Sequence, residues 1–523
     1  MAEKKINPIK TVSLMMLITL LGKVLGLIRD QLLLYHYGIS QTGEAFSIAS
    51  MVPRKFLDII FASAITASFI PVFNQYLETK DRDKAYGLAN KFITLIFIAA
   101  AIVTAAAALG SGQIINIMGA ALTPENKMLA SDLLKIMMPI LLISAVAFSL
   151  TGILHSLGEF NIPAAMSLIS NGLIILYYVF FLDDFGIYGL AVAFTLSWFT
   201  QILIQLPFLK KNQFKFLFDF NPSDPGIREI FSLMLPVMVS SWAQPVNVMV
   251  NTMLANRVQA GWGLALNSAD TLFTIISGVF ILQVTNLIFP RLSRESAIDD
   301  REGFGFTMKN TLRVMIYILV PMTAGLLILS DPLIRLVYQR GQVDHESAGL
   351  IIQAMSFYSI GIIGLGFQTV ASRGLYAIKD GKTPLVSGIL LIIMNGLLSY
   401  ALLPALNVGG PALASSISIT VAAVLMLAVL YRGNKRVIDK KMLRDGVFVI
   451  IASVIMGLLV FKLYGFAAVL LPDNFPGQAA ALLISVAVGV LVYFLLTWIF
   501  KVSEAEVAVK IVKKALKIIR PVQ

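Results

Sequence analysis

Cysteine is absent from the 523 residues, which excludes disulfides, thiolate nucleophiles and Cys-ligated metals. Histidine occurs three times, as His36, His155 and His345, too scattered for a His-rich metal site or a catalytic triad. Charged residues make up 13 %, against about 25 % in a soluble domain. That shortage excludes both an ordinary soluble enzyme and a disordered, highly charged chain. Nucleotide-binding motifs are also missing; Gly303-Phe304-Gly305 has no preceding strand and reads as a flexible loop. What fills the sequence instead is apolar, at 58 % of residues and a mean hydropathy of +0.83. The chain reads as a polytopic membrane protein.

A helix crossing the hydrocarbon core needs about 20 mostly apolar residues. Fourteen such stretches lie near 10–35, 44–75, 88–109, 130–156, 163–182, 186–209, 229–256, 264–290, 309–329, 347–376, 384–404, 409–431, 446–464 and 478–500. The first is too long for a signal peptide and has no small-residue cleavage site.

The basic residues test this count. With the N-terminus inside, the expected cytoplasmic segments hold 28 of the 41 lysines and arginines, and the expected outer loops hold four, Lys127, Arg257, Arg335 and Arg340. A single miscounted helix would invert every later loop and destroy the asymmetry. It also accounts for the net charge of +12 without nucleic acid. Both termini are expected in the cytoplasm. After the last span, Ser503 and Glu506 have capping-box spacing. Beyond them Lys510, Lys513, Lys514 and Lys517 form one stripe of an amphipathic tail suited to anionic lipid.

Repeated placements point to a duplication. Pro163 and Pro384 are 221 residues apart, and GLAVA at 189–193 returns as GPALA at 410–414 with the same offset. SFIPVF (68–73) and LIFPRL (287–292) add a match at offset 219. Six helices per copy give both copies one orientation, related by an axis along the membrane normal. The expected organisation is an N-terminal lobe at 1–215, a second lobe at 216–440, two further helices at 441–502 and a cytoplasmic tail at 503–523. Transporters built this way hold substrate between lobes that rock for alternating access.

Ionisable groups within spans cost about 2.5–3.5 kcal/mol at mid-helix and usually face a cavity or a partner. Span 1 carries Lys23, Arg29 and Asp30; span 2 carries Glu44, Arg54, Lys55 and Asp58. A purely structural reading pairs Lys55 with Asp58 and Arg29 with Glu44. Against it, span 7 has a polar stripe at Ser240, Gln244, Asn247 and Asn251, and span 8 carries Asn267, Asp270, Thr271, Thr274 and Ser277. Stripes on spans 1, 2, 7 and 8 suit one hydrated cavity. Its cations would take phosphate, and its amides and hydroxyls sugar or peptide. Arg373, near the inner end of span 10, is placed either to meet substrate at the cytoplasmic mouth or to hold lipid headgroups.

The segment GKVLGLIRDQLLLYHYGISQTGEAFSIASMVP, then SFIPVF, FPRLS (289–293), YSIGIIGL (358–365) and GLYAIKDGKTP (374–384), resembles the MurJ/MviN lipid II flippases. These belong to the multidrug/oligosaccharidyl-lipid/polysaccharide exporter superfamily. The resemblance implies fourteen helices, transfer of the undecaprenyl-pyrophosphate-linked peptidoglycan precursor to the outer leaflet, and a groove on spans 13 and 14 for its polyprenyl tail. The family's Arg-Asp pair falls on Arg29 and Asp30, its preceding arginine on Lys23, its helix 2 acid on Glu44 and its helix 8 aspartate on Asp270. Two cavity arginines are replaced, by Leu57 and Thr271; Arg54 and Lys55, one turn earlier, could restore the first charge. Family members that bind sodium make Asn395, Ser399 and Ser415 the oxygen donors to consider.

The expected activity is therefore flipping of lipid II by a transporter, not an enzyme: no span end gathers the carboxylates or metal ligands of catalysis. The alternatives are a flippase for another polyprenyl-linked oligosaccharide, of O-antigen or capsule type, and a cation-coupled drug exporter, which a basic cavity disfavours. No cofactor is expected beyond sodium or the membrane potential, and no partner beyond the glycolipid and membrane lipids. A monomer is the expected form.

Overall fold

The structure, a computed structural model, describes residues 8–57 and 65–506, and every regular element among them is helical. The first expected span is α1 (Pro8–Tyr37); the second is built from α2 (Gln41–Leu57), a π-helical turn at Ile65–Phe69 and α3 (Ile70–Thr79). The third is α4 (Arg82–Leu109), followed by a short α5 (Ser111–Met118). The fourth joins α6 (Pro124–Met137) to α7 (Pro139–Ser156), the fifth is α8 (Asn161–Phe180), and the sixth joins α9 (Leu182–Leu203) to α10 (Leu206–Lys211). The seventh splits at Trp242 into α11 (Pro225–Ser241) and α12 (Ala243–Val258). Then come α13 (Trp262–Ala297), α14 (Arg301–Tyr338), the pair α15 (His345–Ile360) and α16 (Ile362–Ala377), α17 (Lys382–Leu406) and α18 (Gly409–Gly433). The last two are α19 (Lys440–Leu470) and α20 (Phe475–Ile499).

Ten helical stretches are long and apolar enough to cross a membrane, and the pair α15–α16, bent by 45°, brings the number to eleven. The other three expected spans coincide with α1, α2–α3 and α11–α12, so the helices are consistent with fourteen crossings. Helix starts follow from side-chain caps that satisfy otherwise orphaned N–H groups. Asp81 accepts from Lys84 N, Asp300 from Gly303 N, Asp344 from Ser347 N, Asp439 from Met442 N and Asn474 from Gly477 N. At the bend Gly361 lies close against α18: a Cβ there would stand 2.6 Å from Ser416 Oγ and 2.9 Å from Ser416 Cα.

The chain packs as two compact units, one through Asn267 and one from Ser268. Their internal geometry repeats at the offset read from the sequence. Gly158 (φ 81°) and Lys379 (φ 62°), 221 residues apart, both take the left-handed region three residues before a helix starts. In each case the next residue's N–H closes the turn, Glu159 to Leu154 O and Asp380 to Leu375 O, both at 2.9 Å. Gly186 (φ 54°) and Asn407 (φ 48°) repeat the same offset at the next junction. Backbone conformation therefore carries the duplication more clearly than residue identity does.

Contacts between loops group them as the charge pattern does. In the first unit, Gln41 Oε1 accepts from Thr123 N at 3.0 Å and Ala121 N donates to Asn256 O at 2.8 Å, joining three loops expected on the outer side. Tyr86 Oη donates to Asn212 O at 2.7 Å and Lys91 pairs with Asp224 at 2.7 Å, joining segments expected on the inner side. In the second unit Lys309 pairs with Asp439 at 3.0 Å, and Asn434 Nδ2 donates to Arg301 O at 2.6 Å. Arg340 lies over the Phe475 ring at 4.3 Å, joining two outer loops. Each of these contacts joins loops of one expected side, as an even number of crossings between them requires.

Two sequence expectations change in the second unit, and the first is Gly303-Phe304-Gly305, which is no loop but lies in the opening turns of α14 behind the Asp300 cap. Ser503 does not cap a helix through Glu506: its hydroxyl donates to Asp445 Oδ2 at 3.1 Å, while Glu506 N bonds Val502 O. Asp445 is buried and pairs with Arg313, which also binds Glu504 at 2.6 Å. Four members of three separate segments thus share one charged cluster, and the hydroxyl satisfies a carboxylate that burial would otherwise penalise. Residues 507–523, with the basic tail stripe, lie outside the described residues.

Candidate functional site

The charge-rich first span delivers one well-defined arginine. Arg29 Nε and Nη2 donate to Asp30 Oδ1 at 2.9 and 2.7 Å, and Nη1 donates to Asn171 Oδ1 on α8 at 2.9 Å. Asn171 is fixed in turn, its Nδ2 donating to Gly22 O at 3.1 Å and Ser167 Oγ at 3.3 Å. Arg29 therefore pairs with its neighbour Asp30 and not with Glu44, as the purely structural reading had it.

Arg54 reaches the same place from α2. Its Nε donates to Ser50 O and its Nη2 to Ser50 Oγ, both at 3.1 Å. The guanidinium carbons of Arg29 and Arg54 lie 5.3 and 5.7 Å from the centroid of one ring, Phe194 on α9. The two cations are thus at most about 11 Å apart, the sum of those distances. Phe194 is buried and meets Phe46 of α2 edge-on, with centroids 5.7 Å apart. A cation within about 6 Å of a ring centroid is attracted by the negative face of the π system.

Beside Arg29 a cavity of about 450 Å³ opens among α1, α7, α8 and α9, lined by Thr19, Arg29, His155, Asn171, Trp198 and Gln201, among others. That size lies in the ordinary range for small-molecule pockets. Sequence reading missed its walls from spans 4 to 6, although Asn171, Gln201 and Gln205 are amides within apolar runs and were the available signal. The two glutamines form a network: Gln201 Nε2 donates to Ser170 Oγ at 3.2 Å, Gln205 Nε2 to Gln201 O at 2.9 Å, and Thr151 Oγ1 to Gln205 Oε1 at 3.2 Å.

Glu44 stands apart from these cations. It is fully buried; Oε1 accepts from Asn256 Nδ2 at 2.7 Å and Oε2 from the backbone N–H of Leu264 at 2.6 Å. Asn256 Oδ1 accepts from Gly263 N at 2.9 Å, closing a node that ties α2 to the end of α12 and the start of α13. Both carboxylate oxygens face donors, so the anion is matched without a cation.

Lys23 and Lys55 are half-buried and make no ion pair among the described residues, and Asp58 lies outside them. Asn247 and Asn251 are buried, whereas Gln244 is exposed. Asp270 and Thr271 are half-buried on α13 in the second unit, where Arg373 lies over the Phe289 ring at 5.2 Å. Asn395, Ser399 and Ser415 are buried where α17 meets α18, and Ser415 Oγ donates to Asn395 Oδ1 at 3.1 Å. These are neutral oxygens, and among the described residues no three of His, Asp or Glu cluster as metal ligands would.

Comparison with known proteins places this geometry. A family model described as lipid II flippase MurJ matches residues 35–475. The probable lipid II flippase MurJ of Vibrio cholerae is 29 % identical over 428 residues, covering 79 % of this chain and 80 % of its own. The lipid II flippase MurJ of Burkholderia cenocepacia is 25 % identical over 426 residues, covering 80 % and 82 %. Among solved structures, lipid II flippase MurJ in an inward closed conformation superposes with a TM-score of 0.78 at 24 % identity, covering 93 % of this chain and 98 % of that one. An inward-facing multidrug MATE transporter reaches 0.70 at 17 % identity, covering 79 % of this chain and 95 % of its own. The two structural likenesses carry the fold and the family match covers most of the chain, so this multi-span membrane protein belongs to the lipid II flippase MurJ family.

Proposed function

We propose that this chain moves lipid II, the undecaprenyl-pyrophosphate-linked peptidoglycan precursor, from the inner to the outer leaflet by alternating access. The observation that carries this reading is the convergence of Arg29 and Arg54 on Phe194 beside a cavity lined with amides and hydroxyls. A pyrophosphate offers two charged groups to two guanidiniums, whose planar forks match phosphate oxygens. Arg54 thereby replaces the family arginine that falls on Leu57. Asn171, Trp198 and Gln201 stand where the sugar next to the pyrophosphate would lie.

The prenyl chain is assigned to α19 and α20. Both expose apolar side chains, Leu458, Phe461, Val490 and Leu491 among them. They are anchored to α14 through Tyr493 Oη, which donates to Tyr317 O at 2.7 Å. The protein acts as a monomer in the bacterial cytoplasmic membrane with both termini inside. The reset step draws on the membrane potential, about 2.3 kcal/mol per charge per 100 mV, and Asn395, Ser399 and Ser415 are the oxygens open to a sodium role.

Native mass spectrometry of the purified protein tests the substrate, comparing retention of lipid II, undecaprenyl phosphate and an O-antigen-type lipid, with Arg29→Ala alongside. Preferential lipid II retention, weakened about tenfold or more by loss of a charge-assisted contact, is the expected result. Equal or better retention of the O-antigen-type lipid would keep a glycolipid flippase and discard lipid II.

A further inference from the structure

We propose that Phe194 is a positioning residue: its ring sets the spacing of Arg29 and Arg54 so that the pair discriminates a pyrophosphate from a single phosphate. This rests on the pyrophosphate reading above and adds a residue that touches no substrate. The argument begins with reach. Arg29 and Arg54 sit on different helices, and flexible side chains on separate helices have no intrinsic common spacing. Arg29 is held by Asp30 on its own helix and by Asn171 on α8, and Arg54 is held by Ser50 on its own helix. Each of these bonds fixes one guanidinium to its own neighbours, and none of them joins the two cations. A shared aromatic surface does, because both cations are drawn to one quadrupole.

The ring is itself closely packed. It is buried, Phe46 of α2 meets it edge-on at 73°, and the backbone O of Phe194 accepts from Ser197 Oγ at 2.6 Å. The edge-to-face contact places the partly positive edge of one ring against the negative face of the other, a preferred aromatic geometry. Phe46 and Arg54 share α2, so that helix both braces the ring and delivers one of its cations. Neutral Phe194 cannot bind an anion; it acts only by holding two cations that would otherwise repel. Two fixed cations favour a ligand with two charges. One phosphate can engage either arginine and gains little from their spacing.

The experiment uses full-length protein in detergent and compares retention of undecaprenyl pyrophosphate with undecaprenyl phosphate in wild type, Phe194→Leu and Phe194→Tyr. The expected result is a wild-type preference for the pyrophosphate that falls about five- to tenfold in Phe194→Leu and is retained in Phe194→Tyr. Selectivity is read rather than affinity alone, because a general loss of packing would weaken both lipids together. Should Phe194→Leu fail to fold, stepwise fluorination of phenylalanine at position 194 keeps shape while draining the π face, and the preference should fall with each fluorine. A wild type without preference refutes the pyrophosphate reading itself. A wild type with preference, matched by Phe194→Leu or by the fluorinated series, or lost equally in Phe194→Tyr, refutes the positioning role.

Discussion

Replacing Glu44 by glutamine changes one oxygen to an amide nitrogen, and the surrounding hydrogen bonds leave no orientation that tolerates it. If the new N–H₂ faces Leu264, two N–H groups oppose each other. If it faces Asn256, that amide must turn its oxygen toward position 44, and its nitrogen then confronts Gly263 N, now 2.9 Å from Asn256 Oδ1. Either way a charge-assisted bond is lost and buried donors stay unsatisfied, a cost of about 3 kcal/mol. At about 2–4 °C per kcal/mol for a unit of this size, Glu44→Gln should melt roughly 6–12 °C lower. Asn256→Asp alone sets two carboxylates face to face and should destabilise most at high pH, recovering as one takes up a proton. The double variant restores every bond: the new amide at position 44 donates to the new carboxylate at position 256, which accepts from Gly263 N, while Leu264 N still finds an oxygen. A melt in detergent followed by size-exclusion chromatography reads all four proteins, and the double variant should lie well above the sum of the singles. A Glu44→Gln protein as stable as wild type, or a double variant no better than additive, would refute this account of the node.

Three further outcomes follow from the geometry. Arg313→Met leaves Asp445 and Glu504 without their shared guanidinium; removing one partner of a buried ion pair costs about 3–5 kcal/mol, lessened here because Arg444 and Ser503 still hold Asp445. Hydrogen exchange should accelerate in residues 502–506 and at the start of α19, and unchanged protection there would contradict the cluster's anchoring role. Gly364→Val should lower the melting temperature, because a Cβ there would already stand 2.9 Å from Thr420 Cα on α18; unaltered stability would mean the two helices can part at little cost. In the loop before α17, the hydrogen bonds from Thr383, with help from Lys382 N–H, hold the Asp380 carboxyl below its usual 3.8. A depressed carboxyl contributes stability above that value and loses it as pH falls through the lower folded-state pKa. The melting difference between wild type and Asp380→Asn should thus be full at pH 6 and narrow below pH 4, and a constant difference would exclude the linkage.

The helices were legible because bilayer thickness imposes a run of apolar residues that few other constraints produce. Breaks inside spans were less legible. Pro139 and Pro245 stand beside breaks, at Met138 and Trp242, yet Pro53 and Pro290 lie inside unbroken helices, so proline alone does not say which span breaks. At the site, Arg29 and Asp30 are adjacent in sequence, but Asn171 is 142 residues away and its pairing follows from how α8 packs on α1. Opposite charge suggested Arg29 with Glu44. The fold satisfies Glu44 with N–H donors instead, one of them 212 residues distant, so no rule of charge pairing could find it. The convergence of Arg29 and Arg54 on Phe194 was invisible for a related reason: an apolar phenylalanine in an apolar span carries no mark of what lies over its face.

The central claim is that the chain transfers lipid II between leaflets, and leaflet occupancy tests it most directly. In cells depleted of their own lipid II flippase, a membrane-impermeant enzyme that cleaves lipid II at the pyrophosphate reports the fraction facing outward. Expression of this chain should raise that fraction toward the level of undepleted cells, and Arg29→Ala, inserted to the same amount, should not. An outward fraction that stays at the depleted level with the wild-type chain correctly inserted, or rises equally with Arg29→Ala, would contradict the account.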